Sequence, residues 1–223
     1  RMMLPRGCDR ILLVNIPQVA EEDFDLATAR LGRNTCPQPY GLGLLSRSLR
    51  TAGYTTEITD LNYEVLSQVL SDSFRYKLWQ DKLTSVIDSF EPDLIGVTCM
   101  FSMAHDSFAR VVEYLKTHYP HIAVIAGGVH ITNNAHLILK NIPHIDLIIR
   151  HEADNAIVFL VDFANGKVDN SHLTQIATMN EGEYIQLEKR DIPGESKLNF
   201  SPDYGDLPIG KFSSTGKIGG YFW

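Results

Sequence analysis

Five short β-rich runs, each followed by a stretch with helical periodicity, constrain this chain more than any other feature. The runs are 10–15, 55–61, 93–98, 122–126 and 145–149. Leu42, Leu45, Leu49 and Ala52 recur at helical spacing after the first run, and Gly53 closes that helix. A longer helical stretch follows the second run. It is interrupted near 71–75, carries Trp79, Leu83, Val86, Ile87 and Phe90 on one face, and stops before Pro92. Ala104, Phe108, Val111, Val112 and Leu115 mark the next helix, 135–140 a short one, and Ala153 to Ala164 the last. Strand runs apolar on both faces, separated by amphipathic helices, predict a parallel sheet covered on both sides. The expected class is therefore α/β: a doubly wound, five-stranded parallel sheet of flavodoxin-like order 2-1-3-4-5. Such sheets bind ligands at the carboxyl ends of their strands, beside the edge shared by strands one and three.

The alternation stops at Gly166. Segments 173–179 and 184–188 predict a hairpin around Asn180-Glu-Gly-Glu183, and 191–223 predicts an irregular tail rich in Pro, Gly and Ser. We therefore expect a binding domain over 1–166 and a hairpin plus linker over 167–223. The ending Gly219-Gly-Tyr-Phe-Trp223 suggests a chain that continues into a further domain. A net charge of −7 argues against nucleic acid and anionic membrane surfaces as partners. No apolar run approaches the ~20 residues of a membrane span, and the first residues lack a signal-peptide pattern. Three scattered cysteines, Cys8, Cys36 and Cys99, fit a reducing cytoplasm better than a disulfide framework.

Candidate chemistry gathers at the strand ends. The fourth strand ends in Gly127-Gly128-Val129-His130. Two glycines there permit either close approach of backbone to a bulky ligand or a tight turn into the next helix. The third ends in Thr98-Cys99-Met100-Phe101-Ser102, which offers two hydroxyls and soft apolar surface at the same rim. The connection 15–40 is long for a compact fold, with a helix expected within 22–31. It leads through Pro39-Tyr40 into Gly41-Leu42-Gly43, which lacks the spacing of a dinucleotide fingerprint. The fifth strand leads into Arg150-His151-Glu152, where Glu152 suits a cap for the following helix. His130 and His151 lack a third ligand at useful spacing, so a metal site is not expected. Cys99 has no orienting carboxylate in view and reads as a small buried hydrophobe. A phospho-acceptor domain would want acids where Asn15 and Thr98 stand.

These residues resemble the cobalamin-binding fold. That family carries Ser/Thr-x-Leu at the end of strand three and Gly-Gly at the end of strand four, and both line the slot for the cofactor's nucleotide tail. Thr98 and Met100 match the first element, with Met for Leu; Gly127 and Gly128 match the second. The wider series Pro39-Tyr40-Gly41-Leu42, Gly127-Gly128-Val129-His130, His151-Glu152 and Asp206-Leu-Pro208 is similar to the amino-terminal half of cobalamin-dependent radical S-adenosylmethionine enzymes. Their stations read Pro-x-Gly-Leu, Gly-Gly-Pro-His, Gly-Glu and Asp-x-Leu-Pro in this order.

The resemblance implies cobalamin as cofactor and partner, held by these stations together with Thr98 to Ser102. It implies methyl transfer as the usual reaction of the whole enzyme, with methylcobalamin commonly the donor. The Asp-x-His-x-x-Gly motif that supplies a histidine to cobalt in other branches is absent. Val129 stands for the usual Pro and His151 for the usual Gly. No Cys-x-x-x-Cys-x-x-Cys motif occurs, so an iron–sulfur cluster and S-adenosylmethionine would belong to a missing carboxyl-terminal catalytic domain. Two alternatives stay open. One is an enzyme binding a nucleotide or nucleotide-sugar, with catalytic groups among His105, His130, His151 and Glu152. The other is a cofactor-free docking domain.

Overall fold

A computed structural model describes residues 7–189 and 201–214. The strands are β1 (Arg10–Asn15), β2 (Thr55–Asp60), β3 (Leu94–Thr98), β4 (Ala123–Gly127), β5 (Leu147–Ile149), β6 (Ile176–Asn180) and β7 (Glu183–Gln186). The helices are α1 (Leu26–Arg30), α2 (Tyr40–Thr51), α3 (Leu61–Ser67), α4 (Leu78–Phe90), α5 (His105–His118), α6 (Val129–Asn133), α7 (Ala135–Asn141), α8 (Asp154–Ala164) and α9 (Ile209–Ser214).

The strands form one mixed sheet in the order β2-β1-β3-β4-β5-β6-β7. The sheet is thus seven-stranded, and the expected five-stranded, all-parallel sheet is corrected in that respect. The first five strands pair in parallel, whereas β6 runs antiparallel to β5 and β7 antiparallel to β6. The hairpin attaches because β5 would otherwise be an open edge, with backbone groups unpaired. Its two-residue turn has positive φ at both Glu181 and Gly182, the geometry that suits strand twist.

Strand alternation divides the core in two. Leu12, Val14, Ile95, Val97, Val124, Ala126 and Ile148 face one side with Leu83, Val86, Phe108, Val112 and Ile138 of the helices α4, α5 and α7. Ile11, Leu13, Leu94, Ile125, Leu147 and Ile149 face the other, against Leu42 and Leu49 of α2 and Ile157, Leu160 and Val161 of α8.

Two stretches depart from expectation. The turn after β4 holds the additional helix α6, whose five residues are too few to show a period. The expected irregular tail contains α9, and it folds back onto the domain. Asp203 N–H donates to the Gly43 carbonyl (2.9 Å), and the buried Phe212 stacks on Tyr63 with ring centroids 4.5 Å apart. The expectations for 190–200 and 215–223, including the apolar terminus, lie outside the described residues.

Candidate functional site: a glycine-floored slot at the carboxyl edge

A cavity of about 670 Å³ opens at the carboxyl ends of β1, β3 and β4 and runs down between the sheet and helices α2 and α8. Register explains its shape. Leu13, Gly96 and Ile125 pair across adjacent strands, and two residues on Asn15, Thr98 and Gly127 do the same. All six line the cavity, the first row as its floor and the second as its rim. At Gly96 the neighbouring side chains take up the space: a Cβ there would stand 3.1 Å from Leu13 Cδ2. Leu42 and Leu45 of α2 and Ile157 of α8 wall the opposite side. A second depression of about 700 Å³, formed by Arg47 of α2 and residues 202–205 and 207–211, is shallow and open, and no strand residue lines it.

The two glycines at the end of β4 do different things. Gly128 has φ +106°, and a Cβ on it would lie 2.5 Å from the Cys99 carbonyl oxygen. The fold itself therefore demands glycine at 128, and substitution there does not report on ligand. Gly127 would place its Cβ no closer than 3.5 Å to any atom, in ordinary contact with the Ile149 carbonyl. It faces the cavity as Ile125 does, so here the missing side chain is space for an occupant.

Most expected site residues meet at this cavity. Pro39, Tyr40, Gly41 and Leu42 enter from the start of α2, Thr98, Met100 and Phe101 from the end of β3, and Val129 with the glycines from β4. His151 and Glu152 close the far side. Tyr40, Met100, Phe101 and Val129 are 45–55% exposed, which makes an apolar ledge beside the opening.

Three expected residues fall elsewhere. Cys99 is buried beside the rim, outside the cavity lining, and burial pushes its thiol up to about 12, which keeps it protonated at neutral pH. His130 turns away from the cavity: its Nδ1 lies 2.9 Å from Ser102 Oγ and its Nε2 lies 3.1 Å from His105 Nδ1. Burial, then the neighbouring His105, holds its pKa below the usual histidine value. Ser102 follows it out of the cavity lining. Glu152 stands one residue before Ala153, the cap of α8, which begins at Asp154.

His151 has φ +60°, in the left-handed region where the resembling family places glycine. Its N–H donates to Thr132 Oγ1 (2.9 Å). Gln175, buried on the antiparallel side, donates from Nε2 to the carbonyls of Arg150 (2.7 Å) and Glu152 (2.6 Å). It thereby clamps the loop that carries His151. Sequence reasoning missed Gln175 because no local pattern marks a clamp 23 residues from its target. It also passed over Gly96, although a glycine inside a strand is a signal of close approach. Among the described residues, no three His, Cys, Asp or Glu side chains cluster as a metal would require. No helix among them is long and apolar enough to cross a membrane.

The model of the B12 binding domain family matches residues 30–161, more than half the chain. The chain belongs to that family. It is 25% identical over 163 residues to the cytidylyl-2-hydroxyethylphosphonate methyltransferase of Streptomyces wedmorensis, covering 71% of this chain and 30% of that protein. It is 25% identical over 177 residues to the anaerobic magnesium-protoporphyrin IX monomethyl ester cyclase of Rubrivivax gelatinosus, covering 78% and 30%. The chain thus spans less than a third of either relative. Among solved structures, it superposes on the cobalamin-dependent S-adenosylmethionine radical enzyme OxsB, solved with aqua-cobalamin and S-adenosylmethionine bound. The TM-score is 0.65 at 18% identity, covering 92% of this chain and 26% of that one. The radical S-adenosylmethionine methyltransferase TsrM of Kitasatospora setae, solved with cobalamin and a [4Fe-4S] cluster bound, gives 0.62 at 15% identity, covering 87% and 31%. This is a B12-binding domain resembling those of cobalamin-dependent radical S-adenosylmethionine methyltransferases.

Proposed function

We propose that residues 1–166 hold cobalamin in the glycine-floored slot, and that 167–223 lead toward a carboxyl-terminal catalytic domain. In the whole protein that domain would carry the iron–sulfur cluster and S-adenosylmethionine, and the reaction would be methyl transfer. The carrying observation is the pair of rows Leu13–Gly96–Ile125 and Asn15–Thr98–Gly127, which open a deep apolar slot at the switch point of the sheet.

The residues present fit the cofactor. The nucleotide tail of cobalamin ends in a flat, apolar base, and the bare Gly127 leaves room for one beside the apolar floor of the slot. The tail's phosphodiester is an anion. The first turn of α2, which has no side-chain cap, lines the cavity and offers backbone N–H groups of suitable polarity. The ledge of Tyr40, Met100, Phe101 and Val129 suits the edge of a broad macrocycle and excludes water from it. When bound, cobalamin supplies a cobalt centre that carries and hands on a methyl group. This chain's residues bind, orient and desolvate. The nucleotide-enzyme alternative draws less support, because His105 and His130 bond each other away from the slot.

The test is retention. Protein mixed with hydroxocobalamin and gel-filtered is expected to carry corrin absorbance. Gly127→Leu, which fills the slot while leaving the Gly128 turn untouched, is expected to lose it. Wild-type protein that elutes colourless overturns the proposal.

A further inference from the structure

At the rim of the slot, Asn15 and Asp60 form a pair that the proposed function has not used. They are register partners at the carboxyl ends of β1 and β2, and both are buried. Asn15 Nδ2 donates to Asp60 Oδ2 (2.9 Å). The other carboxylate oxygen, Oδ1, accepts from the Tyr63 backbone N–H (2.7 Å) at the start of α3. Asp60 therefore offers only acceptors, and both are in use. A carboxylate beside a primary amide dictates which end of the amide faces it. The NH2 group must point at Asp60, so the carbonyl oxygen points away. Asn15 lines the slot, and its Oδ1 accepts no hydrogen bond among the described residues.

We propose that Asn15 is a cofactor-reading residue, and that Asp60 is its positioning residue: Asp60 pins the amide so that Asn15 Oδ1 presents a fixed acceptor to an N–H or O–H donor of the ligand. This rests on the cobalamin reading of the slot and adds a polarity requirement to it. Beside Asn15 in the same row stands Thr98, whose hydroxyl can donate or accept. The rim thus offers one obligate acceptor and one adaptable group above an apolar floor. Cobalamin carries two kinds of matching donor: the carboxamides around its corrin ring and the hydroxyls of its nucleotide tail.

Two substitutions separate reading from positioning. Asn15→Leu removes the acceptor, and the NH2 with it, while keeping the same branching of heavy atoms. Asp60→Asn leaves Asn15 in place but reverses it. The new amide must keep its oxygen toward the Tyr63 N–H, so its NH2 faces Asn15. Asn15 then turns its own oxygen inward and shows NH2 to the slot. A donor now meets a donor, although residue 60 never touches the ligand.

Equilibrium titration with hydroxocobalamin, followed by the visible difference spectrum, is expected to show Kd raised roughly tenfold in both variants, the scale of one lost hydrogen bond. Thermal unfolding of Asp60→Asn is expected at or above the wild-type temperature, so that variant decides the matter if Asn15→Leu does not fold. Repeating the titration with cobinamide, which lacks the nucleotide, identifies the donor. An equal loss assigns it to a corrin carboxamide, and a loss confined to cobalamin assigns it to the tail. Folded Asp60→Asn that binds cobalamin as tightly as wild type overturns the inference and leaves the cobalamin reading standing. Wild-type protein that binds neither corrinoid overturns both.

Discussion

The two faces of the sheet are made from the same strands, yet one is closed and the other is not. On the closed face Ile95, Val97, Val124 and Ala126 meet Phe108, Val111 and Leu115 of α5 in one buried apolar cluster. On the open face the corresponding run of β3 and β4 reads Leu94, Gly96, Thr98 and Ala123, Ile125, Gly127. Side chains disappear or become polar toward the carboxyl ends, and α2 and α8 stand off from the sheet there. A parallel sheet can thus spend one face on stability and keep the upper half of the other for a ligand. The division is made by alternation at period two, one residue at a time.

Substitutions that confuse the two faces should show the difference, beginning with the closed one. Phe108 is fully buried there, and Phe108→Ala is expected to cost ~3–5 kcal/mol in a denaturant titration, from lost burial and the cavity left behind. Gly128→Val adds backbone strain to a 2.5 Å clash with the Cys99 carbonyl and should cost several kcal/mol, about 3 or more, by the same measurement. Gly127→Leu, one residue away on the open face, is expected to shift stability by less than about 1 kcal/mol while removing corrinoid retention. If both glycine variants unfold alike, the distinction between them is wrong.

Asp60 sharpens the comparison through pH. Burial, only partly offset by hydrogen bonds from the backbone of Tyr63 and the amide of Asn15, raises its carboxyl from 3.8 to about 6. The folded chain holds that proton more tightly than the unfolded chain does. Its contribution to stability is therefore fully present below about pH 3.8 and lost as pH rises through about 6. The charged form costs roughly 2–3 kcal/mol at neutral pH. Thermal melts of Asp60→Asn against wild type should diverge in the variant's favour between pH 4 and 7, and a constant difference would refute this. Asp60 is the only acidic side chain among the buried ones of the described residues, and its retention beside Asn15 agrees with a positioning role.

The smallest effect is expected at His151. His151→Gly relieves a left-handed backbone and should stabilise by about 0.5–1 kcal/mol, read as a small rise in melting temperature. The gain would be the stability lost by placing a side chain, rather than glycine, at the slot's far wall.

Period and punctuation, both local, made much of this legible beforehand. The runs 10–15, 93–98 and 122–126 name their strands almost to the residue, because short β-branched runs apolar on both faces, set between amphipathic helices, suit a covered parallel sheet. The stations at 39–42, 127–129 and 151–152, with Thr98, Met100 and Phe101, reach one cavity because each closes a strand or opens a helix at the same edge. What distance along the chain concealed, only the folded arrangement decided. His130 stands two residues after Gly128 in sequence, yet the first turn of α6 rotates it toward Ser102 and His105. Asp60 at the end of β2 and Gln175 just before β6 hold residues of the slot's lining from a distance along the chain. Gly127 and Gly128 read alike in a sequence, but their backbone angles and neighbours separate them, one leaving space for a ligand and the other for Cys99. Alternation along a strand is a property of the chain alone. Which atoms a missing Cβ makes room for is a property of what the fold brings opposite it.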